Sequence, residues 1–219
     1  VRQSLERERL FTSDVSHELR TPLMVIATSC ELLAEANLSS REKDQLARIA
    51  RASEEMHELV QTFLQLARDK SNEAAFVGDR SLAAIANEQA SRWGDLIKEK
   101  GLDFRVIEEG QDAGQYNATF LATVMGNLLR NALHYTEHGE VRLILESGAF
   151  RIEDSGAGIP AEQHERIFQP FVRGAQARGE GLGLGLSLVK RICAKQGWQV
   201  SLESEPGHTH FRVTLNNGA

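Results

Sequence analysis

The sequence lacks the features that mark several common classes of protein. Its 219 residues include only two cysteines, Cys30 and Cys193, and their wide separation predicts buried reduced thiols rather than a disulfide or a metal site. It has no apolar run of the about eighteen residues that a membrane span needs, and no segment with the pattern of a signal peptide. Its net charge of −6 argues against a nucleic-acid surface, because such a surface needs a basic stripe.

Glycine is scarce in the first part of the chain and frequent in the second. Gly78 is the first glycine and Gly94 the next, which predicts a helical unit followed by an α+β unit. The polar stretch 69–73 is the predicted boundary, so we expect two domains, residues 1–70 and 71–219. Because the helical pattern is already present at Val1, we expect the chain to be part of a longer protein.

The N-terminal unit contains two segments of helical periodicity joined by a short polar turn. With Leu19 at heptad position a, most apolar residues over residues 11–33 fall at positions a, d, e and g, and the pattern returns over residues 46–66. Ser39 and Glu42 have the spacing of a capping box that starts the second helix. The apolar arc is wider than a simple coiled coil needs, so we predict that two such all-α hairpins form a dimeric four-helix bundle.

The C-terminal unit alternates helical and strand patterns. The predicted helices are Ser81–Lys100, Ala118–Tyr135 and Gly183–Gln196, and the predicted strands are Leu102–Ile107, Glu140–Glu146, Ala149–Glu153, Gln199–Glu203 and His210–Leu215. A turn at Ser147–Gly148 joins two of these strands into a hairpin. The pattern predicts an α+β two-layer sandwich.

His17 lies at heptad position f, where it faces solvent from the middle of the first helix. A single surface histidine carries little information, but its neighbours are unusual. Glu18 is the only polar residue at the g positions of this helix, and Thr21 lies one turn from His17 on the polar face. Pro22 removes the helical hydrogen bond to the carbonyl of Glu18, so we expect the helix to kink or loosen there.

The segment from Ser16 to Leu23 resembles the H-box of bacterial sensor histidine kinases, the kinases of two-component systems. The resemblance implies that His17 is the phospho-acceptor and that Glu18 acts as its base-like partner. It also implies that Thr21 positions water when the protein dephosphorylates its regulator. The chemistry suits these residues, since a neutral imidazole is a good nucleophile near pH 7 and a neighbouring carboxylate can take its other proton.

Four further segments resemble the ATP-binding boxes of the same family, in the family's order. They are residues 127–136 (N-box), 154–159 (G1 box), 168–171 (F-box) and 181–186 (G2 box). The implied nucleotide-binding residues are Asn127, Asn131, His134, Tyr135, Asp154, Gly156, Gly158, Ile159, Phe168, Phe171, Arg173, Gly181, Leu182, Gly183, Leu184 and Gly185. Asn127 and Asn131 share a helix face, and Asn131 is the implied ligand of Mg²⁺, which prefers hard oxygen donors.

These segments have the chemistry that ATP requires. A carboxylate at a strand end, as at Asp154, can accept the adenine amino hydrogen, and the glycines let the backbone approach the nucleotide. Residues 181–185 open a helix, so free amides and the positive helix end face the phosphates. This is not a Walker loop, because no Gly-Lys-Ser/Thr follows, and no strand leads into it as in a Rossmann fold. The sequence departs from the family at three places. Leu182 stands where a small or polar residue is common, and His134 stands where a basic residue is common. The usual glycine-rich ending before the last strand is reduced to Pro206-Gly207-His208-Thr209.

The resemblance implies an ATP-binding domain of the gyrase and histidine-kinase type, with ATP and Mg²⁺ as cofactors. It implies autophosphorylation of His17 and transfer to an aspartate of a response regulator receiver domain, within a homodimer. The expected location is the cytoplasmic portion of a bacterial inner-membrane protein, joined to the membrane only through a region outside this chain. Gyrase, MutL, heat-shock chaperone ATPases and the serine kinases that inhibit sigma factors lack the preceding H-box hairpin. A phosphatase-dominant or catalytically weak scaffold of the same fold is the alternative.

Overall fold

The computed structural model describes residues 22–68, 78–169 and 185–215. The chain divides into two compact units, residues 1–75 and 76–219. The boundary predicted at residues 69–73 lies outside the described residues. Among the described helices, none combines the length and the apolar character that crossing a membrane requires.

The N-terminal unit is a helical hairpin, as its heptads predict. Helix α1 covers residues 22–34 of the described chain, and helix α2 spans Ser40–Arg68. The predicted capping box is present: the amide of Ser39 donates to Glu42 Oε2 over 2.8 Å, and the amide of Glu42 donates to Ser39 Oγ over 3.4 Å. Hydrogen bonds from the hydroxyl and the amide of Ser39 hold the pKa of Glu42 below its ordinary value, so this cap is ionised at neutral pH.

The apolar arc of α1 divides into two stripes within one hairpin. Leu23 and Cys30, both at position e, are buried, and the hydroxyl of Ser53 on α2 donates to the carbonyl of Leu23 over 3.3 Å. The residues at positions a and g are 40% to 66% exposed; this a/g stripe consists of Val25, Ile26, Leu32 and Leu33. The hairpin alone therefore leaves one apolar stripe of α1 uncovered.

The described part of the C-terminal unit is a two-layer sandwich of three helices on one face of a five-stranded sheet. Its helices are α3 Leu82–Glu99, α4 Ala118–Tyr135 and α5 Gly185–Gln196, and its strands are β1 Arg80–Ser81, β2 Asp103–Glu108, β3 Gln115–Tyr116, β4 Glu140–Glu146, β5 Ala149–Asp154, β6 Gln199–Glu205 and β7 His208–Thr214. The sheet has the order β2-β4-β5-β7-β6, in which β2 pairs parallel to β4 and the other pairs are antiparallel. β1 and β3 form a separate antiparallel pair.

The predicted two-layer fold is confirmed, and the differences lie at element ends. Helix α4 has the predicted bounds, whereas β6 runs on to Glu205 and β7 begins at His208 rather than His210. The two strands stay paired up to a two-residue turn, in which Gly207 has a φ of +84°. The strands β1 and β3 escaped prediction because two residues are too few to show alternation.

The two faces of the sheet differ in chemistry. The face under the helices buries Leu143, Phe150, Ile152, Phe211 and Val213. The opposite face, here called the outer face, carries a network of ion pairs within and between strands; the pairs are Arg142–Glu153, Arg151–Glu109, Arg151–Glu146, Arg151–Glu153 and Arg212–Glu146. Side chains alternate between the faces along each strand, so Arg142, Arg151 and Arg212 all lie on the outer face.

Candidate functional site

Helix α4 carries the first group of predicted site residues. The side chain of its N-cap, Asn117, accepts from the amide of Phe120 over 3.0 Å, and Phe120 itself is fully buried. Buried apolar residues continue along the helix, and they set its rotation against the sheet. As a result Asn127, Asn131 and His134 lie in a row at the edge of the core, with Asn127 buried and the other two half-buried.

Asn127 meets the first turn of α5. Its amide nitrogen donates to the carbonyl of Thr123 over 2.8 Å, and its Oδ1 accepts from Arg130 Nη2 over 2.6 Å. Gly185, the first residue of α5, lies against the same oxygen, since a Cβ there would stand 2.6 Å from Asn127 Oδ1 and 3.1 Å from Arg130 Nη2. The structure thus brings the predicted N-box and G2-box residues together. It adds Arg130, which the sequence reading missed because one arginine on a helix has no distinctive pattern.

A second cluster surrounds the carboxylate of Asp154 at the end of β5. Asp154 is 9% exposed, and its Oδ1 accepts from the amide of Gly156 over 2.9 Å and from the hydroxyl of Thr136 over 3.2 Å. Burial raises the pKa of Asp154, and this effect outweighs the hydrogen bonds from Gly156 and Thr136 and the nearby His208, which act in the opposite direction. Thr136 is fully buried and lies in the N-box segment, but it was not among the predicted site residues.

Two glycines of the loop that follows β5 have structural reasons for being glycine. A Cβ at Gly156 would lie 2.7 Å from Asp154 Oδ1 and 2.8 Å from the carbonyl oxygen of Tyr135, so only glycine fits between the loop and the end of α4. Gly158 has a φ of +82°, which favours glycine, and a Cβ there would lie 2.7 Å from the backbone of Glu205. The loop is therefore packed against backbone on both sides.

The turn between β6 and β7 supports this loop. The amide of Gly207 donates to the carbonyl of Gly156 over 2.9 Å, and the amide of Ile159 donates to Ser204 Oγ over 2.8 Å. Ser204 Oγ in turn lies 2.6 Å from Thr209 Oγ1. The sequence reading missed these supporting residues because Ser204 follows Ile159 by 45 residues, and only the sheet brings the two together.

The remaining predicted residues fall into two groups. Phe168 packs edge-on against Phe211, with ring centroids 6.2 Å apart, and the rings of His134 and Tyr135 are T-shaped with centroids 5.0 Å apart. The other predicted residues lie outside the described residues: His17, Glu18, Thr21, Phe171, Arg173, Gly181, Leu182, Gly183 and Leu184.

The hydrogen-bonding and charged groups of the described cluster suit an adenine nucleotide. Asp154 is a buried acceptor beside two backbone segments that leave no room for a side chain at Gly156. At Gly185, the N-terminal end of a helix lies next to the guanidinium of Arg130, and both are positive. An acceptor for an amino group at one place and positive charge at another are the two features that adenine and polyphosphate need.

Two family models match the chain in sequence. The model of the His Kinase A (phospho-acceptor) domain matches residues 7–72. The model of the histidine kinase-, DNA gyrase B- and HSP90-like ATPases matches residues 116–219. The two matches follow the order of the helical hairpin and the α+β sandwich.

Two curated relatives agree with these matches. The chain is 34% identical over 212 residues to the sensor histidine kinase AruS of Pseudomonas aeruginosa, covering 90% of this chain and 21% of AruS. It is 32% identical to the sensor protein kinase PmrB of the same organism, covering 88% of this chain and 42% of PmrB. The chain thus spans less than half the length of these relatives.

Two solved structures have a similar fold. Full-length ShkA, in complex with AMPPNP, has a TM-score of 0.70 at 23% identity, over 94% of this chain and 46% of ShkA. The histidine kinase AdeS of Acinetobacter baumannii has a TM-score of 0.63 at 17% identity, over 93% of this chain and 98% of AdeS. At such identities the likeness concerns the fold alone.

The α+β sandwich and its glycine-lined cluster define the second unit as an ATPase-type domain of the kind shared by histidine kinases, gyrase B and HSP90. Because a phospho-acceptor hairpin precedes that domain, the chain belongs to the sensor histidine kinases of two-component systems.

Proposed function

We propose that the chain phosphorylates its own His17 from ATP and passes the phosphoryl group to an aspartate of a response regulator. The observation that carries the proposal is the cluster in which Asp154 Oδ1, the amide of Gly156 and the hydroxyl of Thr136 meet at the end of α4. It lies in a chain that also contains an H-box histidine.

The described residues support specific roles in binding ATP. Asp154 is assigned to the adenine amino group, because a buried carboxylate is a strong acceptor once a donor reaches it. Asn127, Arg130 and the start of α5 at Gly185 are assigned to the polyphosphate. Tyr135, Gly158 and Ile159 are assigned to the backbone around the adenine, and His134 and Phe168 are assigned to the border of the site.

Asn131 is assigned to Mg²⁺. Within the described residues, no group of three His, Cys, Asp or Glu side chains is arranged to hold a metal ion. The amide oxygen of Asn131 and the phosphates of the nucleotide are hard oxygen ligands, a combination that suits Mg²⁺. When bound, Mg²⁺ neutralises phosphate charge.

The phosphoryl transfer follows from the residues of the H-box. A ring nitrogen of His17 attacks the γ-phosphorus of ATP, the bond to the β-phosphate oxygen breaks, and ADP leaves. Glu18 takes the proton from the other ring nitrogen, which keeps the imidazole neutral as it forms the new bond. Thr21 is assigned to a separate reaction, in which it orients water toward the phospho-aspartate of the regulator.

The direct test is to incubate the purified chain with ATP and Mg²⁺, using ATP labelled at the γ-phosphate. We expect a label on the protein that is lost in acid and stable in base, since phosphohistidine has this behaviour. ATP labelled at the α-phosphate is the control and should leave no label. A chain that binds ATP but acquires no γ-label would contradict the kinase and leave only the nucleotide site.

We also infer that a second copy of the chain covers the a/g stripe of α1. Val25 is 61% exposed and Leu32 is 66% exposed in the single hairpin, although both belong to the regular apolar heptad pattern. Monomeric proteins rarely expose a continuous apolar stripe of this kind. A symmetric contact places the same stripe of both copies together, which completes a four-helix bundle.

Val25→Asp is therefore expected to convert the dimer into monomers. Each symmetric dimer loses two buried valines and gains two buried charges, which weakens association by roughly a hundredfold or more. Sedimentation equilibrium across a concentration series measures this effect. Met24→Asp is the matched control, because Met24 is 58% exposed but lies at position f, away from the stripe. A dimer that survives Val25→Asp and dissociates with Met24→Asp would place the contact elsewhere.

A further inference from the structure

The hairpin of β6 and β7 places two glutamates and two histidines on one face. Its sequence from Glu203 to His210 reads Glu-Ser-Glu-Pro-Gly-His-Thr-His. The strand register pairs Glu203 with His210 and Glu205 with His208, and paired residues project on the same side of a sheet. The intervening pair, Ser204 and Thr209, is hydrogen-bonded on the opposite side, beside the loop after β5. The four ionisable side chains therefore share the outer face.

The two imidazoles already have the spacing of a chelate. His208 Nε2 and His210 Nδ1 are 3.4 Å apart, and the rings meet at 62° instead of stacking. Two nitrogens bound tetrahedrally to one zinc ion, each at its usual bond length, are separated by about 3.4 Å. Both rings are half-buried, and the fold already places the two nitrogens at this spacing.

The glutamates are free to approach from the edge of the sheet. Glu203 Oε2 lies 3.6 Å from His210 Nε2, and the Glu203 side chain is 80% exposed. Glu205 is exposed opposite His208. No three such donors of the described residues converge as they stand, so a carboxylate must rotate toward the two nitrogens.

The neighbouring strand does not compete for the same position. Glu153 pairs with His210 from the other side, but Arg142 and Arg151 hold its two oxygens at 3.0 Å and 2.7 Å. Glu153 is therefore engaged in the ion pairs of the outer face. The carboxylates that remain available are those of the edge strand β6.

We propose that the outer face of this hairpin binds a divalent transition-metal ion, with His208 and His210 as the chelating pair. Glu203 or Glu205 supplies a third ligand and water completes the tetrahedron. Imidazole and carboxylate together favour Zn²⁺, Ni²⁺ or Cu²⁺ over Mg²⁺, so this site is distinct from the Mg²⁺ of the nucleotide. It lies behind the turn whose Gly207 amide holds Gly156, and a bound ion would tie together the two strands that support that loop.

The test is calorimetric titration of Zn²⁺ into the full chain, freed of metals by a chelator and kept in Mg²⁺ without nucleotide. We expect the wild-type chain to bind Zn²⁺ at this site. His208→Asn and His210→Asn should each lower the affinity by about tenfold or more, since even the loss of an outer partner of a metal ligand costs that much. Glu203→Gln combined with Glu205→Gln should lower it less than either histidine change.

The matched control is the chain with both His57→Asn and His138→Asn, which removes two histidines outside the hairpin and should keep the zinc affinity. Circular dichroism of each variant verifies that it is folded. If the wild-type chain takes up no Zn²⁺, the 3.4 Å contact is a hydrogen bond between two imidazoles and the proposal is wrong. Equal affinity in the wild type and in the His208→Asn variant would overturn it too. Neither result bears on ATP binding, which a separate nucleotide titration measures.

Discussion

His17→Gln is expected to abolish labelling of the chain by γ-labelled ATP while ATP affinity stays nearly unchanged. Glutamine has polar atoms of similar reach, but its amide nitrogen is not a nucleophile. The proposed nucleotide residues, from Asn127 to Gly185, belong to the unit of residues 76–219, so we expect them to bind ATP without His17. Phosphorimaging measures the first quantity and titration with a fluorescent ATP analogue measures the second.

His57→Gln serves as the control for this experiment. It changes another histidine of the same hairpin, on α2, and should leave the labelling intact. A label that persists in His17→Gln would identify a different acceptor. A large loss of ATP affinity in that variant would contradict the separation of the phospho-acceptor from the nucleotide site.

Asp154→Asn is expected to weaken ATP binding by roughly thirtyfold and, at the same time, to raise the melting temperature of the nucleotide-free protein. A hydrogen bond to a charged acceptor contributes about 2 kcal/mol, and the variant loses that charge. In the free protein burial disfavours the charged carboxylate, and this cost is what raises the pKa of Asp154. Asparagine keeps an oxygen for the amide of Gly156 and the hydroxyl of Thr136 without a charge to desolvate.

The direction of the pKa shift gives this prediction a pH dependence. A carboxyl group whose pKa is raised in the folded state is protonated more readily there than in the unfolded chain. Its contribution to stability is therefore full at low pH and is lost as the pH rises through the raised pKa. The melting temperatures of wild type and Asp154→Asn should converge in acid and diverge toward neutral pH.

ATP binding should change with pH in the opposite direction. The affinity of the wild type is expected to fall as the pH drops through the raised pKa of Asp154, while that of Asp154→Asn stays level over the same interval. Asp95→Asn, on the exposed side of α3, is the control and should match the wild type. Wild-type affinity in Asp154→Asn would remove Asp154 from the adenine site.

The sequence by itself determined the features that depend on nearby residues. The capping box of Ser39 and Glu42 and the bounds of α4 follow from patterns within a few residues, and the structure has both. The hairpin of β4 and β5, with its turn at Ser147–Gly148, also follows from a pattern within a short segment. The spacing of apolar residues, with the period of a helix or of a strand, indicates which side chains lie on one face. That spacing is visible within a single segment.

Only the tertiary structure decided which distant segments support the site. Ser204 reaches the amide of Ile159 because β7 pairs with both β5 and β6, and no pattern within either segment encodes that order. The division of the α1 heptads into a buried e row and an exposed a/g stripe likewise depends on where α2 packs. Periodicity identifies an apolar face, but the partner that covers it depends on register and packing between segments far apart in the chain.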